Sequence, residues 1–118
     1  MKASNNAINL IKVAETLKLK AYKCPAGVPT IGWGHTKGVK MGQTITIQEA
    51  TKMLYEDVAV CESAVNRLVK VMLSQGRFDA LVDFVFNLGS GNLASSTLLK
   101  LINKNPNDPA IKAQFMRW

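Results

Sequence analysis

Four side chains in the first third of the chain can do acid–base or nucleophilic chemistry: Glu15, Cys24, Thr30 and His35. Glu15 is the single acid among the first forty-eight residues, which also hold seven lysines. Ile8, Ile11 and Glu15 fall at i, i+3 and i+7, so the carboxyl shares an apolar helical face near that helix's C-terminal end. Loss of water and the negative end of the helix dipole both favour the protonated form, while nearby lysines favour the anion. If burial prevails, Glu15 is a carboxylic acid held protonated near neutral pH, as a general acid requires. If a lysine or arginine engages it, Glu15 is half of a structural ion pair.

Cys24 follows Lys23 and precedes a Pro-Ala-Gly turn, a setting that suggests partial exposure and a lowered pKa. Its thiolate could serve as base or nucleophile, or the residue could simply pack. Thr30 alternates with Gly32 along one strand face, so its hydroxyl is expected over a surface kept open by glycine, where it could hold a water. His35 is the only histidine. It could complete a triad with Cys24 and an orienting carboxylate or amide, or it could be hydrogen-bonded at a strand end. Trp33 either packs beneath the hairpin or stacks on a ligand ring, and Cys61 reads as core.

The elements that must position these groups follow from periodicity and turn chemistry. Ser4 can cap a first helix. Residues 19–36 read as a small antiparallel hairpin or three-stranded sheet, with five of the eight glycines packed into residues 27–42. Thr46 and Glu49 fit a capping box opening a long helix, whose stripe is Ala50, Met53, Leu54, Val58, Cys61, Val65 and Leu68. Ser74 can cap the next helix, dense in Phe78, Leu81, Val82, Val85 and Phe86, which Asn87 to Gly91 stops. Ser95 or Ser96 starts a short helix through Leu101. Asp108-Pro109 opens a last helix ending in Phe115, Met116 and Trp118 with no glycine cap. The expectation is an α+β fold in one domain, residues 1–118, with a β-rich lobe over 19–45 and a helical lobe over 46–118.

Composition narrows the partners. The chain has 118 residues, 47% hydrophobic and 19% charged, an ordinary globular balance for one domain. No apolar run approaches the roughly 20 residues needed to cross a bilayer, and no secretory pattern opens the chain, so stable membrane insertion is not expected. The net charge of +7 suits an anionic polymer, nucleic acid or a membrane surface. Twelve of the fifteen cations are lysine, whereas base readout leans on arginine, so nucleic acid is disfavoured as a partner. Two cysteines are too few for a disulfide scaffold, and no Cys or His pair has metal-site spacing, so no cofactor or metal is called for. Cys24 and Cys61 could pair only with Cα atoms within about 7 Å; two separate thiols are the simpler expectation.

The run Glu15-Thr16-Leu17-Lys18-Leu19-Lys20-Ala21-Tyr22-Lys23-Cys24, with Gly27-Val28-Pro29-Thr30-Ile31-Gly32-Trp33-Gly34-His35-Thr36, resembles the phage-type lysozymes of glycoside hydrolase family 24. That family is marked by Glu, eight residues, Asp or Cys, five residues and Thr, and Glu15, Cys24 and Thr30 keep that spacing. Phe78 to Phe84, Phe86 to Gly89 and Ser95 to Leu99 are similar to the core helix of its lambdoid branch, so the likeness spans essentially the whole chain.

The resemblance implies a lysozyme-like fold and a monomeric muramidase. It would hydrolyse the β-1,4 bond between N-acetylmuramic acid and N-acetylglucosamine in the glycan strands of peptidoglycan, causing lysis. Glu15 would protonate the leaving oxygen, Cys24 would stand where many members have Asp, and Thr30 would help position the water. Phe86 and Thr97 occupy positions that line the substrate cleft. The enzyme would be made in the host cytoplasm and reach the wall through a holin-type lesion.

Three departures carry expectations of their own. A thiol at Cys24 removes the usual pair of carboxylates, so stereochemistry cannot be read from carboxylate spacing. Thr16 follows Glu15 where Gly is common, a strain if that position needs positive φ. Relatives continue for about thirty to forty residues, so an apolar face over Phe78 to Phe86 is expected to be partly uncovered, at about 25 cal/mol per Å². A wall-binding remnant without activity, or a basic helical module for nucleic acid, are the competing readings.

Overall fold

The structure, a computed structural model, describes residues 1–116; Trp118, which the sequence places at the end of the last helix, lies outside the described residues. The element order is α1 (Asn5–Glu15), β1 (Lys18–Lys23), β2 (Pro29–Gly32), α2 (Ile47–Leu68), α3 (Gln75–Leu88), α4 (Ser90–Ala94), α5 (Thr97–Lys104) and α6 (Ala110–Met116). This is the expected α+β content. The chain forms two compact units, one of Asn5–Ala59 and one of Met1–Ser4 with the residues from Val60 onward.

In the first unit, α1 buries Ile8 and Ile11 of the expected stripe and Ala7 in addition, while Glu15 is only half-buried. β1 and β2 pair antiparallel with Tyr22 opposite Thr30 and Lys23 opposite Pro29. The register shifts between Lys18 and Tyr22, which bends the strand. A third segment lies along the other edge of β1. Ala21 N–H donates to the Gln43 carbonyl and Ile45 N–H to that of Leu19, each at 2.9 Å. The hairpin is therefore backed by a short bridge at Thr44 rather than a full third strand.

α2 opens on the capping box read from the sequence. The Thr46 hydroxyl accepts from Glu49 N–H and the Glu49 carboxylate accepts from Thr46 N–H, both at 3.1 Å. Ala50, Leu54, Val58, Cys61 and Val65 are buried along it. Met53 and Leu68 of the expected stripe are only half-buried, and Ala64 is buried in addition.

In the second unit, Ser74 caps α3 by accepting from Arg77 N–H at 3.3 Å. Met1–Ser4 is tied down here. Ala3 N–H donates to the Glu62 carboxylate, and both the N–H and the hydroxyl of Ser4 donate to that of Asp79. α3 ends at Gly89, whose φ of 88° lets the chain reverse straight into α4. The sequence reading missed α4, because Ser-Gly-Asn has turn chemistry; the fully buried Leu93 is what holds it. Ser96 caps α5, accepting from Leu99 N–H at 3.0 Å. Asp108 accepts from Ala110 N–H at 2.9 Å and opens α6.

One expectation is corrected. Phe78, Leu81, Val82, Phe84 and Val85 are buried, so the opening expected over Phe78 to Phe86 is confined to the half-buried Phe86. Phe84 meets Phe115 of α6 edge to face, with ring centroids 6.3 Å apart. The incompletely covered element is α6 itself, which buries none of its residues. No helix among the described residues is long and apolar enough to cross a membrane.

Candidate active site

Glu15 is the last residue of α1, and Thr16 turns the chain out of the helix. Thr16 N–H donates to the Lys12 carbonyl at 3.2 Å while its φ is 48°, the left-handed region that a β-branched residue enters only under strain. The departure from Gly read in the sequence is thus a real backbone strain, directly beside the acid. Replacing Thr16 by Gly should raise stability by about 1 kcal/mol. A urea titration in which the variant's midpoint does not rise above that of the parent would show that no strain is released.

The Glu15 side chain is half-buried rather than buried, less withdrawn from water than its helical face suggested. Among the described residues it makes no ion pair. Lys12, one turn earlier, is occupied elsewhere, its Nζ 4.8 Å from the centroid of the Trp33 ring. Trp33 is 8% exposed, so it packs rather than presenting an open stacking face. The carboxylate lies against Gly34. A Cβ added to Gly34 would stand 2.7 Å from Oε2 of Glu15 and 3.0 Å from Cδ. Gly34 belongs to a tight turn, closed by a pair of 2.9 Å bonds between Ile31 and His35, in which Gly32 and Gly34 both have positive φ.

Cys24 opens the β1–β2 turn. Gly27 N–H donates to its carbonyl at 2.7 Å and its own N–H donates to Val28 at 3.0 Å, with Pro25 and Gly27 at the positions such a turn favours. The thiol is partly exposed. The Val28 backbone holds its pKa below the ordinary thiol value of 9.0; burial opposes this, while the Ala26 backbone, the Thr30 side chain and the Gly27 backbone add to it.

Thr30 is brought to Cys24, but not as expected. It is 4% exposed, and its hydroxyl donates to the Val28 carbonyl at 2.9 Å. The hydroxyl therefore does not stand over an open surface. β2 turns it inward onto the hairpin, where its one hydrogen can serve either Val28 or the Cys24 sulfur.

His35 does not join Cys24. Its Nδ1 lies 2.8 Å from Asp57 Oδ2 and its Nε2 lies 2.9 Å from the Lys37 carbonyl, so both ring nitrogens are engaged. The sequence reading overlooked Asp57, yet a signal was there: it lies seven residues after Ala50 and three after Leu54, an acid beside the buried stripe of α2. Replacing Asp57 by Asn should cost about 1.5–3 kcal/mol, since a charged hydrogen-bond partner of a buried ring is lost. Thermal unfolding unchanged within error would remove that role. Phe86 is half-buried on α3 and Thr97 is exposed at the start of α5, both in the second compact unit. No disulfide joins Cys24 and Cys61.

The phage lysozyme family matches residues 12–118. An endolysin of Acyrthosiphon pisum secondary endosymbiont phage 1 is 42% identical over 118 residues, covering the whole chain and 80% of that protein. An endolysin of Salmonella phage P22 is 39% identical over 123 residues, covering the whole chain and 84% of that protein. Among solved structures, an endolysin from Escherichia coli O157:H7 phage FAHEc1 superposes with a TM-score of 0.90 at 38% identity, covering the whole chain and 77% of that one. On the extent of the family match and the identity to these endolysins, the chain belongs to the phage lysozyme family.

Proposed function

We propose that this lysozyme-type glycoside hydrolase cleaves the β-1,4 bond between N-acetylmuramic acid and N-acetylglucosamine in peptidoglycan, with Glu15 as the general acid. The observation that carries the reading is a half-buried carboxylate at a helix end that makes no ion pair among the described residues, which hold fourteen of the chain's fifteen lysines and arginines. A structural ion pair would have used one of them. The carboxyl proton goes to the glycosidic oxygen as the C1–O bond breaks and positive charge grows on the sugar. Cys24, whose thiol pKa the Val28 backbone lowers, serves as the base: its sulfur takes the proton from the water that adds to C1. The hydroxyl of Thr30 steadies the sulfur, a role that fits its inward position better than holding the water itself. Phe86 and Thr97 are proposed as glycan contacts on the helical side. The domain division into a β-rich lobe over 19–45 and a helical lobe over 46–118 belongs to the same proposal, as do action as a monomer and entry to the wall through a membrane lesion made by another phage protein. The excess of lysine suits an anionic wall.

The test is digestion of purified murein. The reading expects soluble muropeptides whose reducing ends are muramic acid. Reducing ends on glucosamine would overturn the bond assignment. Sedimentation with murein without release would favour a wall-binding remnant, and salt-sensitive DNA binding without either would favour the nucleic-acid reading.

A further inference from the structure

We infer that Gly34 is a positioning residue for the general acid: the bare Cα face of this glycine is the seat in which the Glu15 carboxylate rests. This rests on the reading of Glu15 given above and adds to it the feature that fixes where the proton is delivered. Two consecutive residues of one turn receive two side chains from the last turn of α1. Trp33 takes the Lys12 ammonium and Gly34 takes the Glu15 carboxylate. The turn cannot easily shift, because Ile31 and His35 close it from both sides and the His35 ring is bonded to Asp57 and Lys37.

A methyl group at Gly34 would meet Oε2 at 2.7 Å, Cδ at 3.0 Å and Cγ at 3.5 Å. Ordinary carbon–oxygen contact begins near ~3.5 Å, so one partner must retreat by roughly 1 Å. The backbone is held, and the carboxylate is the far end of a flexible chain. The acid therefore moves and the fold stays. A displacement of that size at a proton donor costs about 100-fold in rate.

Gly34 also has a φ of +76°, so any side chain there is strained whatever the space. Gly42 separates the two effects: its φ is +90°, and nothing lies within 4 Å of an added Cβ. The experiment compares Gly34→Ala and Gly42→Ala for stability, for kcat and KM on soluble glycan strands, and for the 13C resonance of the Glu15 carboxyl. Both variants should lose similar stability. Only Gly34→Ala should lose kcat, by about 100-fold with KM within about threefold, and only it should move the Glu15 resonance. Glu15→Asp, one methylene shorter, should make the second effect of Gly34→Ala on the resonance much smaller. An unchanged resonance in Gly34→Ala, or equal changes in both glycine variants, would overturn the inference. A parent protein inert toward murein would instead overturn the function of Glu15, and the resonance would still decide whether Gly34 seats it.

Discussion

Replacing Glu15 by Gln should abolish release of muropeptides, with kcat falling about 10²–10⁴-fold, while the folded state is retained. The substitution keeps the shape of the side chain and removes only its ability to hand over a proton. The side chain is half-buried, with no ion pair to lose among the described residues, so unfolding by heat or urea should change little. Without an acid, the leaving sugar departs as an alkoxide, and the growing charge at C1 has no compensating proton transfer. The decisive measurement is the ratio of the two effects. Activity within a fewfold of the parent would remove the general-acid role. Activity lost together with the cooperative transition would make Glu15 structural.

The second large effect concerns Cys24. Alkylation of its sulfur should inhibit by about 100-fold, since a bulky neutral thioether replaces a group poised to be anionic. Cys24→Asp should retain activity within about tenfold, because a carboxylate restores the negative charge in the same turn. The reaction with iodoacetamide should rise with pH through a midpoint below 9.0, because the Val28 backbone stabilises the thiolate. Peptide mapping should find the label on Cys24 and not on the buried Cys61. Insensitivity to both alkylation and Cys24→Asp would take the sulfur out of the site. The anomer first released, followed by NMR, should be inverted, as attack of water on C1 requires; a retained anomer would put the sulfur at C1 instead.

Much of this arrangement was legible in the residues, and the losses have physical causes. Helix starts were readable because caps are local: Thr46 with Glu49, Ser74, Ser96 and Asp108 each bond a backbone N–H within three residues. The α1 stripe was readable because period and burial coincide at Ile8 and Ile11. α4 was not, since five residues with turn chemistry are held helical by a single buried leucine. At the site, the strain at Thr16 followed from the resemblance, which puts Gly at that position, and from the cost of positive φ to a β-branched residue. The inward turn of Thr30 did not: alternation assigns a face, while hydrogen bonding to Val28 decides what the face meets. The partnership of His35 with Asp57 joins residues twenty-two apart, and only tertiary pairing could supply it.

α6 has consequences for how the molecule yields under stress. A helix of seven residues is too short to persist on backbone bonds alone, and this one buries no side chain fully, its packing resting on half-buried residues such as Phe115 against Phe84. It should therefore open by local fraying, at a free energy far below that of the whole molecule. Its amides should take up deuterium while those of α3 remain protected, and limited proteolysis should clip there first.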